Sequence, residues 1–214
     1  MFPLSTFYYF EIGTLLLSVV AFYRFRNKPL HWFIPFLFFI VCIELTGRYI
    51  RRVLHEPNTW LYNLSIPIEY LFYGFIIASL CLSVKYKKII YTGMVLLTVV
   101  SIINILWIQG FMFPNTITYK TGCSLMIISA CVGLIDLFRY DEHVSLLKNP
   151  LFWICTGVLF FNVAEFTTFF LIEIFMQKKW QITKIFTLVN NNMIYVLYTC
   201  ISLAILTTIK WKKQ

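Results

Sequence analysis

The sequence predicts an all-α protein, a seven-transmembrane-helix bundle in a single domain over residues 1–214. Three observations predict it. Of the 214 residues, 60% are hydrophobic and 13% charged, against about 45–50% and about 25% in a soluble domain. The apolar residues fall into seven runs, each near or above the roughly 20 residues that cross a bilayer as a helix. Lys and Arg gather at the ends of those runs. Seven such helices take about 154 residues and leave about 60 for tails and loops, too few for a separate soluble domain. A cytosolic enzyme, a secreted scaffold and a DNA-binding domain are excluded.

The runs cover about residues 5–24, 30–50, 60–83, 89–109, 118–139, 150–175 and 182–209. The first has neither a basic leader nor a small-residue cleavage site, so it reads as a span rather than a signal peptide. The second lies between Arg24, Arg26, Lys28 and Arg51, Arg52. Glu56, Pro57 and Asn58 mark the turn into the third, where Pro67 is expected to kink the helix. The fourth follows Lys85, Lys87 and Lys88, and Gly110, Pro114 and Asn115 mark the turn after it. In the fifth, Asp136 at the inner end is expected to snorkel or to pair with Arg139. Asn149-Pro150 reads as the cap and first turn of the sixth. The seventh closes on Lys210, Lys212 and Lys213. Six cysteines lie inside apolar runs without a C-x-x-C pair. They read as small buried hydrophobes rather than a disulfide framework or a zinc site.

The formal charge is +9. Because the bases flank apolar runs, their partner is the lipid bilayer and its anionic head groups, not nucleic acid. Alternate helix ends carry eleven Lys and Arg on one side and seven on the other. The excess places the N-terminus outside and the C-terminus in the cytoplasm.

The polar residues within spans carry the functional reading, since a charge at mid-span costs roughly 3 kcal/mol on insertion scales. Helical spacing puts Glu44, Arg48, Arg51 and His55 on one face of helix two, and Tyr62, Ser65, Glu69 and Tyr73 on one face of helix three. Cys155, Asn162, Glu165, Phe169 and Glu173 share a face of helix six. Lys184, Thr187, Asn191, Tyr195 and Tyr198 share one of helix seven. Lipid cannot satisfy such groups, so the four stripes should face one another. Counting along the helices puts most of the charge between mid-membrane and the outer surface, which suggests an acid-lined cavity open to the outside. The candidate ligand-binding residues are Glu69, Glu165, Asn191, Glu44, Arg48, Asn162, Tyr73 and Tyr195. Structural roles stand beside these: an intrahelical Glu44–Arg48 ion pair, head-group contact for Glu11 and Glu173, and interhelical hydrogen bonding for Asn162 and Asn191. Glu69 and Glu165 have no basic residue within one turn and are the strongest candidates.

No H-E-x-x-H, G-x-S-x-G or P-loop pattern occurs. His31, His55 and His143 lie at or beyond helix ends, so no catalytic residues, no metal and no cofactor are expected. Glu44-x-x-x-Arg48 matches a fragment of the prenyl-protease motif without that family's second Glu or its intramembrane histidines. Lys184 at the start of helix seven does not suit a retinal Schiff base. A faint repeat pairs Tyr70-Leu-Phe-Tyr73 with Tyr195-Val-Leu-Tyr198.

Three segments carry a resemblance: Leu61–Tyr70, Asn149–Gly157 and Val189–Tyr195. Together they resemble a mostly uncharacterised bacterial family of small heptahelical membrane proteins, some of which accompany sensor-kinase systems. The resemblance implies a multi-pass protein of the bacterial cytoplasmic membrane, Glu69 and Asn191 as family positions, and no established catalysis. One departure is that Lys120 is followed by Cys123 and Ser124 where an acidic residue is expected. The sequence reading is therefore a non-enzymatic membrane sensor holding a small-molecule or cation ligand and signalling to a cytoplasmic partner. A proton- or cation-coupled transporter, a pore-forming accessory of bacterial immunity and an intramembrane lipid hydrolase remain open.

Overall fold

The computed structural model describes the backbone of residues 6–25, 28–140, 145–175 and 181–210, and side chains within 8–23, 28–139, 145–171 and 188–208. Among these residues there are seven α-helices and no strand: α1 (Thr6–Phe25), α2 (Phe33–Arg52), α3 (Thr59–Leu80), α4 (Val84–Ile103), α5 (Thr116–Tyr140), α6 (Pro150–Phe175) and α7 (Gln181–Lys210). A 3₁₀ turn at Pro29–Trp32 leads into α2, and a π-helical turn at Asn104–Ile108 extends α4. Among the described residues six helices are long and apolar enough to cross a membrane, and the described side chains of α1, Tyr8–Tyr23, form a further apolar helix. Large apolar side chains such as Val20, Phe38, Val95, Trp107, Phe160 and Phe170 point outward, while Glu11, Thr14, Ser18, Asn104, Asn162 and Glu165 are buried. An apolar exterior with the polar groups of the spans turned inward is the arrangement lipid demands. The chain is a membrane protein.

Contacts fix the relative directions. Phe10 meets Tyr195 with ring centroids 4.8 Å apart, and Thr14 Oγ1 lies 3.1 Å from Ser202 Oγ, so α1 and α7 run parallel. Tyr62 bonds Glu44 and Asn58 bonds the Gly47 carbonyl, so α2 and α3 are antiparallel. α1 packs on both α2 and α7, which closes the bundle, and α3 touches α2, α4, α5 and α6. The ends of α2, α4 and α6 and the starts of α1, α3, α5 and α7 thus share one side, here the N-terminal face.

The half of the bundle away from that face contains a packed apolar layer and a smaller pocket of about 220 Å³ lined by Leu30, Leu80, Pro150 and Thr208 among others. Phe33, Ile76, Ile77, Ala78, Ile154, Cys155, Ile201, Ala204 and Ile205 are fully buried there. Small residues allow the close fit: a Cβ on Gly157 would lie 2.8 Å from Cys200 Cβ. Close approach of small residues is the usual device for helix association in lipid.

At the N-terminal face polar side chains tie the connections down. Asn63 Nδ2 donates to the carbonyls of Phe111 and Phe113, both at 2.7 Å. Asn104 Nδ2 donates to Thr118 Oγ1 and to Gln109 Oε1, both at 3.0 Å. Gly110 takes φ 78°, the left-handed turn that its lack of a Cβ permits. α3 continues through Pro67, whose missing N–H leaves the Asn63 carbonyl without its helical donor.

Asp136 corrects the sequence reading. It is 1% exposed and neither snorkels nor turns to Arg139. Its carboxylate accepts the backbone N–H groups of Leu82 and Ser83. Those donors belong to the tight connection between α3 and α4, so α3 stops at Leu80 and α4 begins already at Val84. A carboxylate at the start of α4 also offsets Lys85, Lys87 and Lys88 in its first turns, where the helix dipole disfavours cations. Arg139 instead lies over the Tyr86 ring, 5.9 Å from its centroid.

Candidate functional site

In the N-terminal half the helices part around a chamber of about 380 Å³. Each lining helix contributes through the stripe its spacing creates. Glu11 comes from α1, Glu44 from α2, Tyr62, Glu69, Tyr70 and Tyr73 from α3, and Tyr119 from α5. Asn162 and Glu165 come from α6, and Asn190, Asn191 and Tyr198 from α7. Two glycines make room for its tyrosines. A Cβ on Gly122 would collide with the Tyr70 ring, and one on Gly47 would lie 2.8 Å from the Tyr62 hydroxyl.

A second cavity, of about 780 Å³, lies at the N-terminal face between the end of α2 and the start of α3. Its walls are Tyr8, Arg48, Arg51, Arg52, His55 and Asn58, together with Glu44 and Tyr62. Glu44 and Tyr62 thus line both cavities. This vestibule is basic and the chamber is acidic. His55 stands at φ 58°, a left-handed conformation uncommon outside glycine, where α2 turns back.

The boundary between the cavities is a hydrogen-bonded cluster. Glu44 Oε2 accepts from Tyr62 Oη at 3.2 Å and from Tyr8 Oη at 3.4 Å. The Arg48 guanidinium lies over the Tyr8 ring, 5.7 Å from its centroid. The Tyr70 hydroxyl lies 3.2 Å from Cys123 Sγ, and Tyr119 packs on Phe169 at 4.5 Å.

Deeper in, three buried oxygens lack a donor. Tyr198 and Glu11 share this wall, and Glu11 Oε2 is buried with no hydrogen-bond partner. Asn162 Nδ2 donates to the Val158 carbonyl at 2.7 Å, which leaves Asn162 Oδ1, like Asn190 Oδ1, buried without a donor. Glu11 is 4% and Asn162 2% exposed. A buried acceptor without a partner costs about 1–3 kcal/mol, so these oxygens are open to a group that brings donors. Among the described residues no three His, Cys, Asp or Glu side chains could hold a metal ion together.

Of the eight residues singled out by sequence, six line the chamber: Glu44, Glu69, Tyr73, Asn162, Glu165 and Asn191. Arg48 lines the vestibule instead. Tyr195 lines neither cavity and packs on Phe10 of α1. The helix-two stripe holds as a unit, since Glu44, Arg48, Arg51 and His55 all line the vestibule. Glu11 is the residue misjudged. Expected at the head groups, it is buried in the chamber wall, and Thr14 and Ser18, at its i+3 and i+7 positions, are buried with it. That spacing was a fifth polar stripe. The side chains of Glu173, Lys184 and Thr187 lie outside the described residues. Comparison with protein-family models, with curated proteins and with solved structures gives no match.

Proposed function

We propose that the protein is a non-enzymatic membrane receptor whose chamber binds an organic cation. The observation that carries this reading is the chamber wall: glutamates with buried, donor-free oxygens of Glu11, Asn162 and Asn190, surrounded by tyrosine rings. An ammonium group supplies the missing donors, and aromatic faces attract its charge. The N-terminal face with its vestibule is taken as the outside, and the spans, α1 included, as seven transmembrane crossings with the C-terminus in the cytoplasm. The packed apolar layer across the opposite half supports a binding role over a standing pore, which needs polar lining throughout. Ligand held between α1, α3, α6 and α7 would bias helix packing, and the basic inner loops are the surface for a cytoplasmic signalling partner in a bacterial inner membrane. The same acids and the chamber's one-sided opening also suit one state of a cation-coupled transporter.

The test is thermal unfolding of the protein in phosphatidylglycerol nanodiscs with ethanolamine as the cation probe. Wild type should gain stability with probe concentration, and Glu11→Gln and Glu165→Gln should lose most of that gain. A gain that survives in both folded variants refutes the chamber as the site. Proteoliposomes loaded with labelled ethanolamine separate receptor from transporter: the receptor reading requires no protein-dependent efflux.

A further inference from the structure

The vestibule is the largest feature that a cation site leaves unexplained. We propose that the ligand is a phosphorylated amine, its ammonium seated in the chamber and its phosphate held in the vestibule; this rests on the chamber reading above.

The two cavities are adjacent and opposite in charge. Arg48, Arg51, Arg52 and His55 line the outer one, and among the described residues Glu44 is its only acidic lining residue. Glu44 sits at the boundary with Oε2 already bonded by Tyr8 and Tyr62. Arg48 follows Glu44 by one helical turn, a rise of about 6 Å, and Tyr8 precedes Glu11 by about 4.5 Å. A cationic wall therefore adjoins an anionic one, with Glu44 between them.

Guanidinium forks pair with oxyanions through parallel N–H groups. Three of them with an imidazole suit a doubly charged phosphate. The start of α3 adds to this. Asn58, the residue before α3, directs its amide to the Gly47 carbonyl at 3.0 Å and gives no side-chain hydrogen bond to the first turn. Asn58 lines the vestibule, so the N-terminus of a 22-residue helix opens beside the arginines, where its dipole favours an anion. A simple amine engages only the inner wall, and a simple phosphate only the outer one.

Such a ligand could be free in solution or be the head group of a zwitterionic lipid, and the experiment has an arm for each. In phosphatidylglycerol nanodiscs, binding of O-phosphoethanolamine, ethanolamine and inorganic phosphate is measured by calorimetry. The variant is Arg51→Gln/Arg52→Gln, both exposed residues, checked for an unchanged melting temperature. Phosphoethanolamine should bind wild type at least ten-fold tighter than ethanolamine. The variant should lose that advantage and keep its ethanolamine affinity. Equal affinity for the two amines, or an advantage that survives the double substitution, overturns the proposal and leaves the cation receptor standing. Absence of any ethanolamine binding to wild type overturns the receptor reading itself. Doping the discs with phosphatidylethanolamine then identifies the source. Loss of affinity for the soluble probe marks the lipid head group as the occupant, and unchanged affinity marks the free phosphorylated amine; either result supports the bipolar site.

Discussion

Tyr62 donates its hydroxyl to Glu44 Oε2 at 3.2 Å, and it does so through a gap that only glycine leaves open at position 47. A hydrogen bond and a packing contact therefore converge on one oxygen. Removing that oxygen by Tyr62→Phe should cost about 1 kcal/mol, the scale of interhelical hydrogen bonds in membranes. Gly47→Ala should cost about 1–3 kcal/mol by overpacking, and less in the Tyr62→Phe background, where the hydroxyl at 2.8 Å from the new Cβ is gone and ring carbons at 3.2 and 3.3 Å remain. Unfolding of the four proteins in bicelles gives the coupling energy. Additive costs would show that Gly47 and Tyr62 do not share this contact.

Gly122 does the same for Tyr70, more tightly. Gly122→Ala must move the Tyr70 ring, which lines the chamber. The expected result is a loss of about 1–3 kcal/mol in stability together with at least ten-fold weaker ethanolamine binding. Gly13, where an added Cβ meets nothing within 4 Å, is the control: Gly13→Ala should leave binding unchanged.

The two glycines also show what the sequence could convey. Six chamber residues were legible because mid-span charge and amide groups stand out against leucine and phenylalanine, and because helical spacing groups them. Gly47 and Gly122 were not, since a glycine in a span has no pattern that announces a tyrosine from another helix. Glu11 was misread because counting residues from the start of the chain measures depth, not direction. Its direction was recorded in Thr14 and Ser18. Tyr195 shows the limit of face-counting: three positions from Tyr198, it is turned enough to meet α1 instead. The early start of α4 depends on Asp136, 54 residues from Leu82, and no local signal in the lysine-rich connection reveals that partner.

Asp136 governs the α3–α4 connection and the thiol beside it. Burial, reinforced by the Asp136 carboxylate, pushes the Cys81 thiol up to about 12. At pH 7 the thiol is protonated, and nucleophilic thiolate accumulates only as the pH approaches that value. Alkylation of Cys81 should therefore be negligible at pH 7 and rise steeply at alkaline pH. Asp136→Asn removes the negative charge that opposes thiolate formation, so the rise should begin at lower pH. It should also destabilise the fold by about 1–3 kcal/mol, because an amide cannot accept on both sides as the carboxylate does. A pH–rate profile by mass spectrometry of single-cysteine proteins checks both signs.

Cys42 and Cys131 face outward from mid-helix positions on α2 and α5. In nanodiscs a charged maleimide should label neither, while a membrane-permeant maleimide should label both slowly. Rapid labelling by the charged reagent would place these faces in water and contradict the membrane assignment of α2 and α5.

Asn162 offers the sharpest separation of stability from binding. Its Oδ1 is buried without a donor and its Nδ2 bonds a carbonyl of its own helix, so it contributes little to holding the fold. Replacing an unsatisfied buried polar group by an apolar one of similar shape is neutral or stabilising, by up to about 1 kcal/mol. Asn162→Leu should therefore melt no lower than wild type in the absence of ligand and should lose most of the ethanolamine-dependent gain. A residue kept for structure gives the opposite pair of results: a lower melting temperature with the gain intact. Measuring both quantities on one purified variant tells whether the donor-poor wall of the chamber is there for the fold or for what the chamber binds.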